Sequence, residues 1–209
     1  ADAYLKGVTK ADAAQMFEGL LKGAGSVHPK ISSTGRTGYR YYNELGYIPY
    51  DVHIDENVAR TLEYAYDDFC DARLAKALGR TADYEALMKR ARNWRNVINP
   101  HTGWADGRHR NGRWLGNRDL TNRVPFITEG AVIHYSFYVP HDIYGLMEAM
   151  GGREKFIQKL DMLFGISSPS STGEGRDGAG EASDGALSSA SGEAFYWHGN
   201  EPCHQIPYM

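Results

Sequence analysis

Residues Val58 to Leu78 read VARTLEYAYDDFCDARLAKAL, and the spacing of their apolar side chains decides the fold class. Val58, Leu62, Ala65, Tyr66, Phe69, Cys70, Leu74, Ala77 and Leu78 recur at intervals of three and four, the period of a helix with one covered face. Gly79 stops that helix, and Thr81 caps another almost at once, with Asp83 and Glu85 in its first turn. The second helix continues through Leu87, Met88, Ala91, Trp94, Val97 and Ile98 to Asn99-Pro100. So short a connection folds the pair back as an antiparallel hairpin.

The same punctuation organises the flanks. Upstream, Thr9 caps a helix expected over Lys10 to Lys22, with Ala13, Met16, Phe17, Leu20 and Leu21 on one face and Gly23 and Gly25 ending it. Residues 26–50 are rich in Gly, Ser and Tyr and lack a helical period, so they read as a long ordered loop. Downstream, a second loop covers about 99–126, followed by an apolar and aromatic run from Ile127 to Val139. Pro140 opens a helix to Met150, Gly151-Gly152 breaks it, and a last amphipathic helix covers Lys155 to Phe164. Residues 166–192 are almost entirely Ser, Gly, Ala, Asp and Glu and cannot bury enough apolar surface to fold alone; they are expected to be a mobile surface loop. No alternation typical of a parallel sheet is present. The expectation is a mainly α architecture of helical hairpins joined by short turns and long loops.

Composition narrows the function classes. A chain of 209 residues suggests one domain or slightly more, and 42% hydrophobic content supplies a core. A net charge of −3 without a basic run argues against a nucleic-acid partner, and no stretch reaches the ~20 apolar residues of a membrane span. The start, Ala-Asp-Ala-Tyr-Leu-Lys-Gly, reads as the interior of something longer. Cys70 falls on the apolar helix face and reads as a buried thiol, while Cys203 is isolated. There are 14 Tyr and 4 Trp against 7 Phe. Amphipathic rings suit stacking on sugar faces, and equally suit helix packing with wet edges.

Two strings carry the chemistry: Thr128-Glu129-Gly130 and His198-Gly199-Asn200-Glu201-Pro202. Each sets a carboxylate beside small, turn-forming residues among aromatics. A carboxyl donates a proton near neutral pH only where apolar or like-charged surroundings raise its pKa. Glu129 lies between apolar residues, so it is either desolvated for that purpose or paired with Arg118 or Arg123. The second string offers an amide, a carboxylate and the imidazoles of His198 and His204, a set suited to sugar hydroxyls or a hard cation. It reads as non-helical, with Pro202 keeping Glu201 extended. His198 and His204 are six apart, which is not a zinc-helix spacing, and Asp51 to Asp55 lacks the glycine and terminal Glu of an EF-hand. On the long helix, Glu63 and Asp67 share a face at i,i+4 while Asp68 turns away. No nucleotide-binding or serine-hydrolase fingerprint is present.

Together these strings resemble the glycoside hydrolase family 92 exo-α-mannosidases. The matching stretches are Gly46-Tyr47-Ile48-Pro49-Tyr50-Asp51, Thr61 through Cys70, Thr128-Glu129-Gly130, Val139-Pro140-His141-Asp142 with Gly145-Leu146, and Gly199-Asn200-Glu201-Pro202-Cys203-His204. Their order and spacing agree along nearly the whole chain. The resemblance implies part of an (α/α)6 toroid, preceded in the family by a β-sandwich, and inverting, calcium-assisted hydrolysis of terminal α-linked mannose. It implies Glu129 as general acid, Asn200 and Glu201 lining the sugar site near the calcium, and His198 or His204 touching the leaving mannose. It implies a secreted, periplasmic or cell-surface setting. The family's base lies in an acidic, Gly-rich motif beyond the position of Met209, so residues 1–209 are expected to be an incomplete catalytic domain that is inactive alone. An inverting enzyme needs two carboxyl groups roughly 6.5–9.5 Å apart.

One departure stands out: the Thr-Glu-Gly string continues with Ala131, Val132, Ile133 and His134 where family members commonly have Asn, Ala, Trp and Gln. Losing the amide and indole favours, as an alternative, a non-catalytic glycan-binding toroid module. A purely helical interaction domain, with Tyr39, Tyr41, Tyr42 and Glu129 all buried, is the third reading.

Overall fold

The computed structural model describes residues 1–8, 12–28, 30, 35–166, 196 and 198–209. The helices are α1 (Asp2–Leu5), α2 (Ala13–Ala24), α3 (Tyr39–Leu45), α4 (Asn57–Ala77), α5 (Thr81–Arg90), α6 (Val132–Tyr135), α7 (Ile143–Ala149) and α8 (Arg153–Leu163). Short 3₁₀ turns supplement them, and among the described residues β-structure is limited to four isolated bridges. Most of the low-complexity stretch expected at 166–192 lies outside the described residues.

The α4–α5 hairpin forms as its periodicity predicts and makes the most extensive contact between any two elements. Gly79 turns the chain in a left-handed conformation (φ 72°). Val58, Leu62, Ala65 and Leu74 of α4 are fully covered, as are Trp94 and Val97 beyond α5. Burying side chains of this size stabilises by about 1.5–3 kcal/mol each. The expected second helix is shorter than its apolar pattern: α5 stops at Arg90 and a 3₁₀ turn, Asn93–Val97, carries Trp94 into the core. Nor does Thr81 cap it; the N-cap position is Arg80, which makes no side-chain cap bond.

Three further expectations are corrected. Helix α2 is capped by Asp12, whose side chain accepts from the Gln15 amide, and Gly23 lies inside it while Gly25 closes it. The loop expected at 26–50 contains α3, bracketed by left-handed Gly38 and Gly46. Seven residues are too few to display a helical period, and the aromatic face of α3 reports packing: Tyr42 is fully buried against Tyr64. Helix α7 starts after Asp142, whose side chain accepts from the Gly145 amide, rather than at Pro140.

The interior also holds charge. Asp68 has no exposed side-chain surface and is met by Arg36 Nη1 at 2.7 Å, the Tyr42 hydroxyl at 2.8 Å, Arg90 Nε at 2.9 Å and a second Arg90 bond. Turning away from Glu63 and Asp67, it turns into the hairpin. A buried carboxylate is tolerable only with such pairing.

Candidate active site

The site begins at the N-terminus of α4. Its N-cap position, Glu56, is left-handed (φ 58°) and supplies no side-chain cap. Backbone carbonyls supply one instead: Pro125 O accepts from the Glu56 amide, and Phe126 O accepts from both Val58 and Ala59. These bonds satisfy amides that a helix start leaves open. They also fasten the 124–130 loop to the best-buried helix of the chain. An isolated bridge between Arg123 and Ala131 closes that loop, and the Leu120 carbonyl accepts from Ile133 at 2.9 Å.

Glu129 sits at the tip of this closed loop. Its φ of 49° places a non-glycine residue in the left-handed region, costing roughly 1–2 kcal/mol relative to ordinary backbone. The side chain is exposed, and among the described residues no ion pair joins it to Arg118, Arg123 or any other cation. The expected half-shielded setting is therefore not built by this chain by itself, and neither is the alternative salt bridge. Exposure of Glu129, and only partial burial of Tyr39 and Tyr41, removes the basis of the purely structural reading.

The two strings meet. A β-carbon at Gly130 would lie 3.3 Å from His134 Nδ1 and 3.5 Å from Asn200 Nδ2, and α6 packs on the 3₁₀ turn Glu201–Cys203. Asn200 is buried, and among the described residues its Nδ2 has no hydrogen-bond partner. The string is not extended as expected. Asn200 is the extended residue (φ −106°, ψ 125°), and Glu201 starts the 3₁₀ turn, with Asn200 O accepting from Cys203 and Glu201 O from His204. A proline at the second position of such a turn gives up an amide that needs no partner. Glu201, His198 and His204 are all exposed. The two imidazoles lie tilted at 34° with centroids 4.8 Å apart, His204 Nε2 lies 2.9 Å from the His198 carbonyl, and the Tyr196 hydroxyl bonds to His198 Nδ1.

The residues at 131–134 face inward. Ala131, Val132, Ile133 and His134 are all buried, and His134 Nδ1 accepts from the Ala131 amide at 3.1 Å. Their departure from the family pattern changes what lies beneath the loop rather than what lines a cleft.

Sequence reasoning underrated Glu63. Its carboxylate is partly buried, accepts from the Tyr135 hydroxyl at 3.1 Å, and is pushed above the usual carboxylate range by burial, with Asp67 adding to the rise. Tyr135 is raised as well, by burial first and then by Glu63, with Thr128 opposing the rise. The signal present in the sequence was the i,i+4 acidic pair; the partner lies 72 residues away.

Asn200 and Glu201, neighbours in sequence, carry amide and carboxylate oxygens, the donor type calcium prefers, one side chain buried and the other exposed. Among the described residues no group of three or more His, Cys, Asp or Glu is arranged to hold a metal, so these two would need further oxygen ligands from water or other segments.

The family model of the glycosyl hydrolase family 92 catalytic domain matches residues 1–209. The chain belongs to this family. It is 32% identical over 195 residues to an uncharacterized secreted glycosidase of Arthroderma benhamiae, covering 78% of this chain and 25% of that protein. Among solved structures it is similar to a family 92 inverting mannosidase from Bacteroides thetaiotaomicron (39% identity, TM-score 0.74, 78% of this chain and 22% of that one). It is also similar to a family 92 alpha-mannosidase of the same organism (32% identity, TM-score 0.77, 99% of this chain and 25% of that one). The helical hairpins are thus part of the family's (α/α)6 toroid. The chain spans about a quarter of the length of the relatives it matches. Among the described residues no helix is long and apolar enough to cross a membrane.

Proposed function

We infer that this chain carries the general-acid side of the active site of an inverting exo-α-mannosidase acting on terminal α-linked mannose of glycans. The observation that carries the reading is Glu129: a carboxylate without an ion-pair partner among the described residues, held in a left-handed turn beside buried Asn200, in a chain of a glycoside hydrolase family. In this reading Glu129 protonates the departing glycosidic oxygen as the bond to the sugar lengthens. A water on the opposite face of the ring is activated by a carboxylate outside residues 1–209, and the two carboxyl groups stand roughly 6.5–9.5 Å apart to admit it. The remainder of the enzyme, a β-sandwich and the base-bearing segment, completes the pocket and shields Glu129.

Asn200 and Glu201 bind sugar hydroxyls and, when calcium is bound, serve among its ligands; the cation would supply fixed positive charge to orient hydroxyl oxygens. The paired imidazoles of His198 and His204 offer an aromatic face and ring nitrogens to the leaving mannose. Secretion or a periplasmic or surface location, and a role in N-glycan degradation, accord with glycan chemistry and with the secreted relative.

The test is Glu129→Gln in the full-length enzyme. Proton donation by a positioned side chain contributes about 10²–10⁴-fold, so kcat/KM should fall by that order on α-mannosides with poor leaving groups. Activated aryl mannosides should be affected far less. Undiminished turnover of the poor-leaving-group substrate refutes the acid role. Loss of activity on adding a chelator, restored by calcium, checks the cation requirement.

A further inference from the structure

We propose that His134 is a positioning residue for the Thr128–Gly130 turn: its buried imidazole fixes the peptide that joins Gly130 to Ala131, and with it the turn that presents Glu129. This rests on Glu129 being the general acid, because what His134 holds is that residue's backbone.

The left-handed conformation at Glu129 is one that a glutamate does not adopt by preference, so surrounding contacts must impose it. The residue that follows cannot do so by sterics. Gly130 has no side chain to restrict its own backbone rotation, and it stands between the strained residue and α6. The peptide beyond it is oriented by a hydrogen bond instead: the Ala131 amide donates to His134 Nδ1 at 3.1 Å. The ring that accepts is itself held. His134 is 1% exposed, and its helix is anchored at the neighbouring residue, where the Ile133 amide donates to the Leu120 carbonyl at 2.9 Å. The same helix packs on the Glu201–Cys203 turn. A β-carbon at Gly130 would lie 3.3 Å from His134 Nδ1 and 3.5 Å from Asn200 Nδ2, so imidazole and amide both close on the residue next to Glu129.

The ordinary explanation is a buried histidine that satisfies a helix start, and the bond has that form. The third residue of α6 accepts from the amide at the N-cap position, which is one half of a capping box. Yet α6 has only four residues, and the amide it satisfies lies two residues after Glu129. Capping the helix and orienting the turn are therefore done by one bond. What the position demands is an acceptor rather than an imidazole. Glutamine, which family members commonly have there, offers a carbonyl oxygen for the same bond. Leucine fills comparable space and offers nothing. With leucine at 134 the Ala131 amide loses its acceptor, and the turn can rotate about Gly130 while the core beneath stays filled.

The experiment compares His134→Leu, His134→Gln, Gly130→Ala and Glu129→Gln in the full-length enzyme, each on an alkyl and an activated aryl α-mannoside. Misplacing a catalytic group by about 1 Å costs on the order of 10²-fold. His134→Leu should therefore lower kcat on the alkyl substrate by roughly 10- to 100-fold, with little change in KM and much less loss on the aryl one. His134→Gln, which keeps an acceptor, should recover most of the activity. Adding His134→Leu to Glu129→Gln should cause no further loss, since nothing remains to be positioned. Wild-type behaviour of His134→Leu overturns the proposal. So does an equal loss on both substrates, a glutamine variant as impaired as the leucine one, or a multiplicative loss with Glu129→Gln. Should His134→Leu not fold, Gly130→Ala decides: its methyl group meets the ring at 3.3 Å and should produce the same split between substrates, and no split overturns the proposal. Full activity of Glu129→Gln on the alkyl substrate brings down the acid role and this inference with it, whereas an impaired Glu129→Gln beside a wild-type-like His134→Leu overturns this inference alone.

Discussion

The α4–α5 hairpin and the 99–135 segment are held together by different physics. The hairpin is an area-driven structure: Val58, Leu62 and Ala65 lie in one buried cluster with Trp94, Leu74 in another with Phe17 and Leu87, and a buried ion cluster sits at Asp68. The segment beyond Asn99 has few helical residues and depends on single polar anchors. Asp106, 1% exposed, is the main one: it accepts from Asn99 Nδ2 and from the Gly116 and Asn117 amides, tying both arms of the loop to one carboxylate. The first region draws its stability from many buried side chains and one ion cluster; the second draws it from a few polar anchors. The proposed acid was placed on the second but bolted to the first.

That contrast can be broken at its strongest joint first. Asp68→Ala strands Arg36 and Arg90 around an empty site. Removing one partner of a buried ion pair costs about 3–5 kcal/mol, to be read by chemical denaturation. A cost below about 1 kcal/mol, the range of surface pairs, would show that the cluster is solvated.

Asp106→Ala comes next, at about 2–3 kcal/mol from amides left without an acceptor. Its signature is local: hydrogen exchange should accelerate at Gly116 and Asn117 before it changes in α4. Uniform acceleration across both regions would dissolve the distinction.

A pH series sharpens the hairpin side. Burial pushes the Asp71 carboxyl up to about 6, with Asp67 and Asp68 adding to the rise and Arg36 opposing it. The folded state therefore holds this proton more tightly than the unfolded chain, whose aspartate titrates near 3.9. Stability from this group falls as pH rises from about 4 to 6, and the unfavourable contribution is complete above that window. Asp71→Asn should be more stable than the parent at pH 7, with the gap closing towards pH 4. Thermal midpoints for both proteins across that range measure it, and a gap independent of pH counts against the assignment.

Glu129→Gly is the gentlest probe. Glycine removes the left-handed penalty but adds chain entropy in the unfolded state, so stability should change by about 1 kcal/mol or less. In the full-length enzyme, turnover of α-mannosides with poor leaving groups should nonetheless fall by about 10²–10⁴-fold. Stability and function then part company at one residue, as expected where backbone strain serves catalysis.

How much was legible follows the same division. Area-driven elements announce themselves by period: α4 was read to within a residue, and α8 to within two. Short α3 was not, because seven residues between two glycines show no repeat. The Thr128–Gly130 and Asn200–Glu201 strings were recognised as chemistry, yet their meeting at Gly130 was not foreseeable, since nothing local encodes contact between residues so far apart. Glu63 was discounted for the same reason: the helix around it looks ordinary, and only Tyr135, distant in sequence, gives it meaning. The extended geometry that a following proline favours does not hold at Glu201, because the 3₁₀ turn's own carbonyl bonds prevail there.

The capping of α4 by the Pro125 and Phe126 carbonyls bears on engineering. A loop graft between related chains would here be discontinuous. Residues around 120–135 and the opening two turns of the long helix form one graft. Swapping either without the other would mismatch donor amides and acceptor carbonyls at the seam.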